Sequence, residues 1–184
     1  MLAARLADVL REVADVVEEA DGALTVTHGG AVASLRVVPI DDDLELISLT
    51  QLLAWDVLVT NRIRGRVADQ TVRTLLGTVA LVEKPDGKKA DILLRYNFPA
   101  AGLSDDGLRT LILMVLAGGE DARDALRLQR VPRPIRSPAA GAALVNAFFF
   151  AFDLVRGFAG LAGVDLAAGA AAMPVPPAES TPRS

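Results

Sequence analysis

The sequence predicts an α+β fold of order α-β-β-β-α-β-β-α, an antiparallel sheet packed by helices, with a further C-terminal apolar helix. Three observations lead there. Apolar residues recur at helical spacing over residues 2–20; period-two runs bounded by Gly-Gly and Asp-Gly turn signals follow; a nearly wholly apolar stretch opens after Ser104.

In the first element Leu2, Leu6, Val9, Leu10, Val13, Val16 and Val17 share one helical face, with Arg5, Asp8, Arg11, Glu12 and Asp15 mostly opposite. Asp21-Gly22 is expected to end this helix. Leu24 to His28 then alternates as a half-buried strand, Gly29-Gly30 supplies a hairpin turn, and a second strand is expected from Ala31 to Val38. Pro39 and Asp41-Asp42-Asp43 make the next turn, and Leu44 to Leu53 reads as the third strand of a meander. Thr60 or Asn61 caps a second helix that is expected to carry Ile63, Val67, Thr71 and also Leu75 inward, with its end placed near Thr74. Two β-type runs, Gly77 to Val82 and Ala90 to Tyr96, flank the Pro85-Asp86-Gly87 hairpin signal. Ser104, with Asp105 and Asp106 behind it, starts a third helix, because a hydroxyl and early carboxylates satisfy free N–H groups and complement the helix dipole. Its body, Leu108 to Leu116, is expected to end at Gly118-Gly119, with a short charged helix from Glu120 to Leu128 beyond.

The organisation expected is an α+β domain over residues 1–128, a basic Pro-rich linker over 129–138, an apolar helical segment over 139–166 and a disordered tail over 167–184. The 184 residues suffice for one core without staples. With no cysteine there is no disulfide framework, no thiolate nucleophile and no Cys-based metal site, which fits a reducing cytoplasm. A net charge of −4 argues against broad phosphate neutralisation, so no nucleic-acid partner is expected. Apolar residues make up 52% and aromatics 4%, so the core is built from Ala, Val and Leu. The richness in Ala, Arg, Val and Asp points to a GC-rich bacterial genome. Charges at Arg5, Asp8, Arg11 and Glu12 break up any export signal, and the uncharged run Ser137 to Phe152 falls short of the roughly 20 residues that span a bilayer.

The order of elements over residues 1–117 resembles the fold of YbjN-domain proteins and of type III secretion chaperones. The residues that fit are the meander Leu24–Leu53, Asn61-Arg62 at the middle helix, the Asp86-Gly87 hairpin and Gly102-Leu103-Ser104 before the apolar helix. Residues 129–184 have no counterpart in that pattern. The resemblance implies a binding protein: type III secretion chaperones dimerise and hold an extended client segment against apolar grooves, and YbjN-type proteins are linked to regulation and stress.

Candidate chemistry is sparse. His28, the lone histidine, ends a strand beside Gly-Gly without a nucleophile or orienting carboxylate in a recognisable motif, so it reads as an exposed strand end. Asp41, Asp42, Asp43 and Glu45 lack the spacing of a calcium loop and read as a solvated turn. Gly157, Gly160 and Gly163 follow no strand, which removes the context of a dinucleotide site. Lys84, Lys88, Lys89 and Arg95 cluster on the second hairpin without an aromatic stacking platform, and read as charges that keep it soluble. No catalytic, cofactor or metal residues are expected, and the protein is expected not to be an enzyme.

Two features point to binding. Leu46, Ile47, Leu49 and Leu53 put apolar groups on both faces of the third strand, which a sheet covered on one side does not need. Arg127, Arg130, Arg133 and Arg136 precede Phe148, Phe149, Phe150 and Phe152, a basic stretch beside an apolar segment. That segment can pack on its own sheet, dock on a protein partner or a second copy, or contact a membrane surface. The expected function is therefore a chaperone-like or adaptor protein that binds an apolar segment of a partner in the cytoplasm. The alternative is a peripheral membrane or membrane-complex subunit at the inner face of the membrane.

Overall fold

A computed structural model of the chain describes residues 2–41 and 44–128. The linker over 129–138, the apolar segment over 139–166 expected as a C-terminal helix, and the tail over 167–184 lie outside the described residues. The order is α1 (Leu2–Arg11), β1 (Asp15–Glu18), β2 (Leu24–His28), β3 (Ala31–Asp41), β4 (Leu44–Leu58), α2 (Asn61–Arg73), β5 (Thr78–Glu83), β6 (Lys89–Pro99) and α3 (Asp105–Ala125). The fold is α+β, as expected, with one strand more than the sequence suggested.

The extra strand comes from the expected first helix. The N–H groups of Val13 and Ala14 both reach the Leu10 carbonyl, at 3.1 and 2.9 Å, and the helix closes there. Asp15 to Glu18 then pairs antiparallel with Thr27 to Leu24. The β-branched Val16 and Val17 suit a strand better than a helix, and they part company: Val16 packs on the core while Val17 is 54% exposed. Asp21-Gly22 does not end a helix but turns the β1–β2 hairpin, with Gly22 at a φ of 80°.

The six strands form one antiparallel sheet of order β1-β2-β3-β4-β6-β5. Because β6 inserts between β4 and β5, the longest strand, β4 with 15 residues, lies in the interior of the sheet. It runs past the expected end at Leu53 through two irregularities, between Leu52 and Ala54 and between Ala54 and Val57. Asp56, at a φ of 51°, sits in the second, and its N–H donates to Asp91 Oδ1 at 2.9 Å. β3 likewise continues beyond Val38, with a register shift between Pro39 and Asp41 where the proline has no N–H to give.

All three helices contribute to one core on one face of the sheet. Leu6 and Leu10 of α1, Ile63 and Val67 of α2, and Leu108, Ile112, Val115 and Leu116 of α3 pack there with Ala33, Leu35, Ile92 and Leu94. The expected caps are present: Thr60 Oγ1 accepts from Ile63 N–H at 3.2 Å, and Ser104 Oγ accepts from Gly107 N–H at 3.1 Å. α1 is tied to the start of α3 by Arg5, which reaches Asp105 at 2.7 Å and the Leu103 carbonyl at 2.6 Å.

α3 corrects a second expectation, since it runs through Gly118-Gly119 and takes in most of the charged stretch beyond. A glycine in a helix interior costs roughly 1 kcal/mol, but buried Gly119 is required here: a Cβ would overlap the side chain of Gln51 on β4. The helix stops about two turns later, at Leu126. Arg127 N–H reaches Asp124 O at 2.9 Å and Leu128 N–H reaches Arg123 O at 3.1 Å, the paired closure usually built on a left-handed glycine. Arg127 takes that left-handed position itself, at a φ of 52°.

Candidate functional site

Alternation along β4 decides which of its leucines can meet a partner. Ile47, Leu49 and Leu53 are each 0% exposed and lie in the core beneath the helices, so they are corrected from candidate binding residues to core residues. Successive side chains of a strand point to opposite faces, and only Leu46 of the four lies on the outer face, where it is partly buried. Leu52, not singled out from sequence, is the residue that faces outward with it.

On that outer face Val32 of β3, Leu52 of β4 and Leu93 of β6 form a separate buried cluster, with Trp55 and Val82 packed against it. Val32 pairs with Leu52 and Leu52 with Leu93, so three adjacent strands carry one apolar row. The bulge between Leu52 and Ala54 inverts the phase of β4, so Trp55 joins Leu52 rather than Leu49. No helix among the described residues contributes to this cluster. The unbroken runs Leu52-Leu53-Ala54-Trp55 and Ile92-Leu93-Leu94 were the available signal, because a strand apolar at consecutive positions is buried on both sides.

No protein-family model matches the chain, and no curated protein matches it in sequence.

Charged groups frame the apolar row. On β3, Arg36 meets Asp21 at 2.5 Å, and this bond holds the Asp21 carboxyl below its ordinary value. Arg95 of β6 is half-buried on the same face, and burial lowers its pKa. Near Trp55, Lys84 Nζ lies 2.6 Å from Asp56 and 3.4 Å from Asp91. The hydrogen bond lowers the Asp56 pKa and raises that of Lys84. Lys84 thus fastens the irregular end of β4 to the last hairpin and is not held out toward a phosphate. Lys88 and Lys89 are exposed, but Arg95 is separated from them in function by its burial on the sheet.

A second polar group lies under α3. Gln51 is fully buried on the helix face, where its Nε2 donates to the Leu116 carbonyl at 3.1 Å and approaches Glu120 at 3.4 Å. Glu120 in turn pairs with Arg123, which is also buried. This group fixes the seat of α3 on β4.

His28 is exposed at the end of β2, with Nδ1 2.9 Å from the Val13 carbonyl. Among the described residues no three His, Asp or Glu side chains are grouped to hold a metal ion, and no helix is long and apolar enough to cross a membrane. Arg127 is exposed at the end of α3. Arg130, Arg133, Arg136, Phe148, Phe149, Phe150 and Phe152 lie outside the described residues, as do Asp42, Asp43 and the glycines at 157, 160 and 163.

Proposed function

We propose that this protein is a non-enzymatic, chaperone-like or adaptor module that receives an apolar segment of a protein partner on the outer face of its sheet. The observation that carries the reading is the row Val32–Leu52–Leu93, extended by Trp55 and Val82, on the face to which none of the described helices contributes. Apolar side chains on a second face serve burial against something, since water alone gives them no stabilisation; a fully buried leucine contributes roughly 1.5–3 kcal/mol. The polar frame of Arg36, Arg95 and Lys84 gives such a surface the make-up of a binding patch, with an apolar centre and a charged rim. The resemblance in element order to type III secretion chaperones points the same way, and is proposed on pattern alone.

Site-specific photocrosslinking in the native cell tests this. A crosslinker at Ser34 or Leu46 on the outer face is expected to capture a discrete protein, and one at Met114, exposed on α3, is not. Equal capture at Met114 would remove the outer face from consideration. Flotation of the intact chain with anionic vesicles, lost on neutralising Arg130, Arg133 and Arg136, would move the reading to a peripheral membrane subunit.

A further inference from the structure

We propose that residues 139–149 of this same chain lie across the outer face of the sheet and seat Leu144, Val145, Phe148 and Phe149 on the Val32–Leu52–Leu93 row. The proposal rests on the reading of that face as a receptor for an apolar segment, and it names the first occupant.

The depth of burial is the starting point. Leu52 and Leu93 are each 1% exposed and Val32 3%, although they lie on the face away from the helices. Cross-strand neighbours stand about 4.5–5.5 Å to either side and shield the flanks of such a side chain, leaving its tip open to whatever lies above the sheet. Thr50, between Ser34 and Arg95 on the same face, is likewise only 2% exposed. These values are reached within one chain, which favours a cover from the chain itself over a second copy. The half-burial of Arg95 on this face, with its lowered pKa, agrees with a layer above it.

Length and chemistry identify the segment. The chain leaves α3 at Leu128, and residues 129–138, which in extended form reach about 33 Å, come before it. Passing from a helix layer around a sheet to its far side takes about 20 Å, because layers pack roughly 10 Å apart. Residues 139–149 carry no charge, and Leu144, Val145, Phe148 and Phe149 recur at the spacing of one helical face. Two phenylalanines supply to the row the large apolar surface that a sheet built of valine and leucine lacks.

Trp55, the only tryptophan, borders the row, and the chain has no cysteine, so both probes are free of background. In the full-length protein the double variant Phe148→Asp/Phe149→Asp is expected to shift Trp55 emission to longer wavelength and increase its quenching by acrylamide. Far-UV circular dichroism should stay unchanged. A synthetic peptide of residues 139–152 added to the variant should reverse both changes. The cysteine pair Ser34→Cys with Ala147→Cys should form an intrachain crosslink, and Met114→Cys with Ala147→Cys should not. Crosslinks between chains would overturn the proposal in favour of a second copy, and unchanged emission without an intrachain crosslink would overturn it outright. In that last case, peptide binding sensed by Trp55 would leave the receptor reading standing, and no peptide binding would remove that as well.

Discussion

Leu49 and Leu52 lie on the same strand and are almost equally buried, yet they belong to different faces with different histories. Leu49 lies among side chains from three helices whose inward residues are described with it. Leu52 lies in a row to which only strands contribute among the described residues. Burial measures cover, and the comparison shows that it does not identify what provides the cover. On one face the cover comes from the three helices; on the other, no described helix contributes to it.

Substitutions on the two faces are expected to separate them. Leu49→Ala, or Ile92→Ala on the neighbouring strand, is expected to lose about 2–5 kcal/mol of stability by urea denaturation, because the helices above cannot collapse into the space. Leu52→Ala should lose clearly less, with the difference falling on Trp55 emission and partner capture. Equal losses would make the two faces one core. Gly119→Ala comes next, at about 1–3 kcal/mol, since its methyl displaces Gln51; Gln51→Ala in the same chain should restore much of it. Ser104→Ala should cost about 1 kcal/mol through the lost cap, without touching the outer row. Arg127→Gly should gain up to about 1 kcal/mol, because glycine takes the left-handed position without strain.

The smallest effects are those of pH. Asp21 and Asp56 have folded pKa values below the ordinary 3.8, so their pairs stabilise fully above that value and lose this as pH falls through the folded values. Lys84 is raised above 10.5, so its contribution is complete below that pH and is lost as pH rises past its folded value. Asp56→Asn should flatten both limbs of a stability–pH profile, and asparagine keeps the left-handed backbone there tolerable. An unchanged profile would show that Lys84 does not hold the outer end of β4.

Much of the architecture was legible from local chemistry: the Gly29-Gly30 and Asp86-Gly87 turns, the caps at Thr60 and Ser104, and the inward faces of α2 and α3. β1 was not. Leu2 to Val17 fits helical spacing as well as any helix, and only pairing with Leu24 to Thr27, a tertiary event, makes a strand of its end. The run through Gly118-Gly119 was hidden for a related reason: Gln51, which lies under Gly119, is distant in sequence. For the site, consecutive apolar residues revealed that β4 has two buried faces. Which residue belongs to which depends on strand register and on the bulge at Leu52/Ala54, and neither is written in hydropathy.

The position of β6 between β4 and β5 also sets an order in time. During synthesis β1 to β4 can pair in sequence as hairpins, but the other edge of β4 stays open until Pro99 has been made. At about 5–20 residues per second, the roughly forty residues between Leu58 and Pro99 take on the order of 2–8 s to emerge. For that interval the longest strand of the sheet, rich in leucine, offers an unpaired backbone edge to any neighbouring chain. Yield of this protein should therefore depend on how quickly its nascent chain is elongated and how crowded its ribosomes are, more than on the stability of the finished fold.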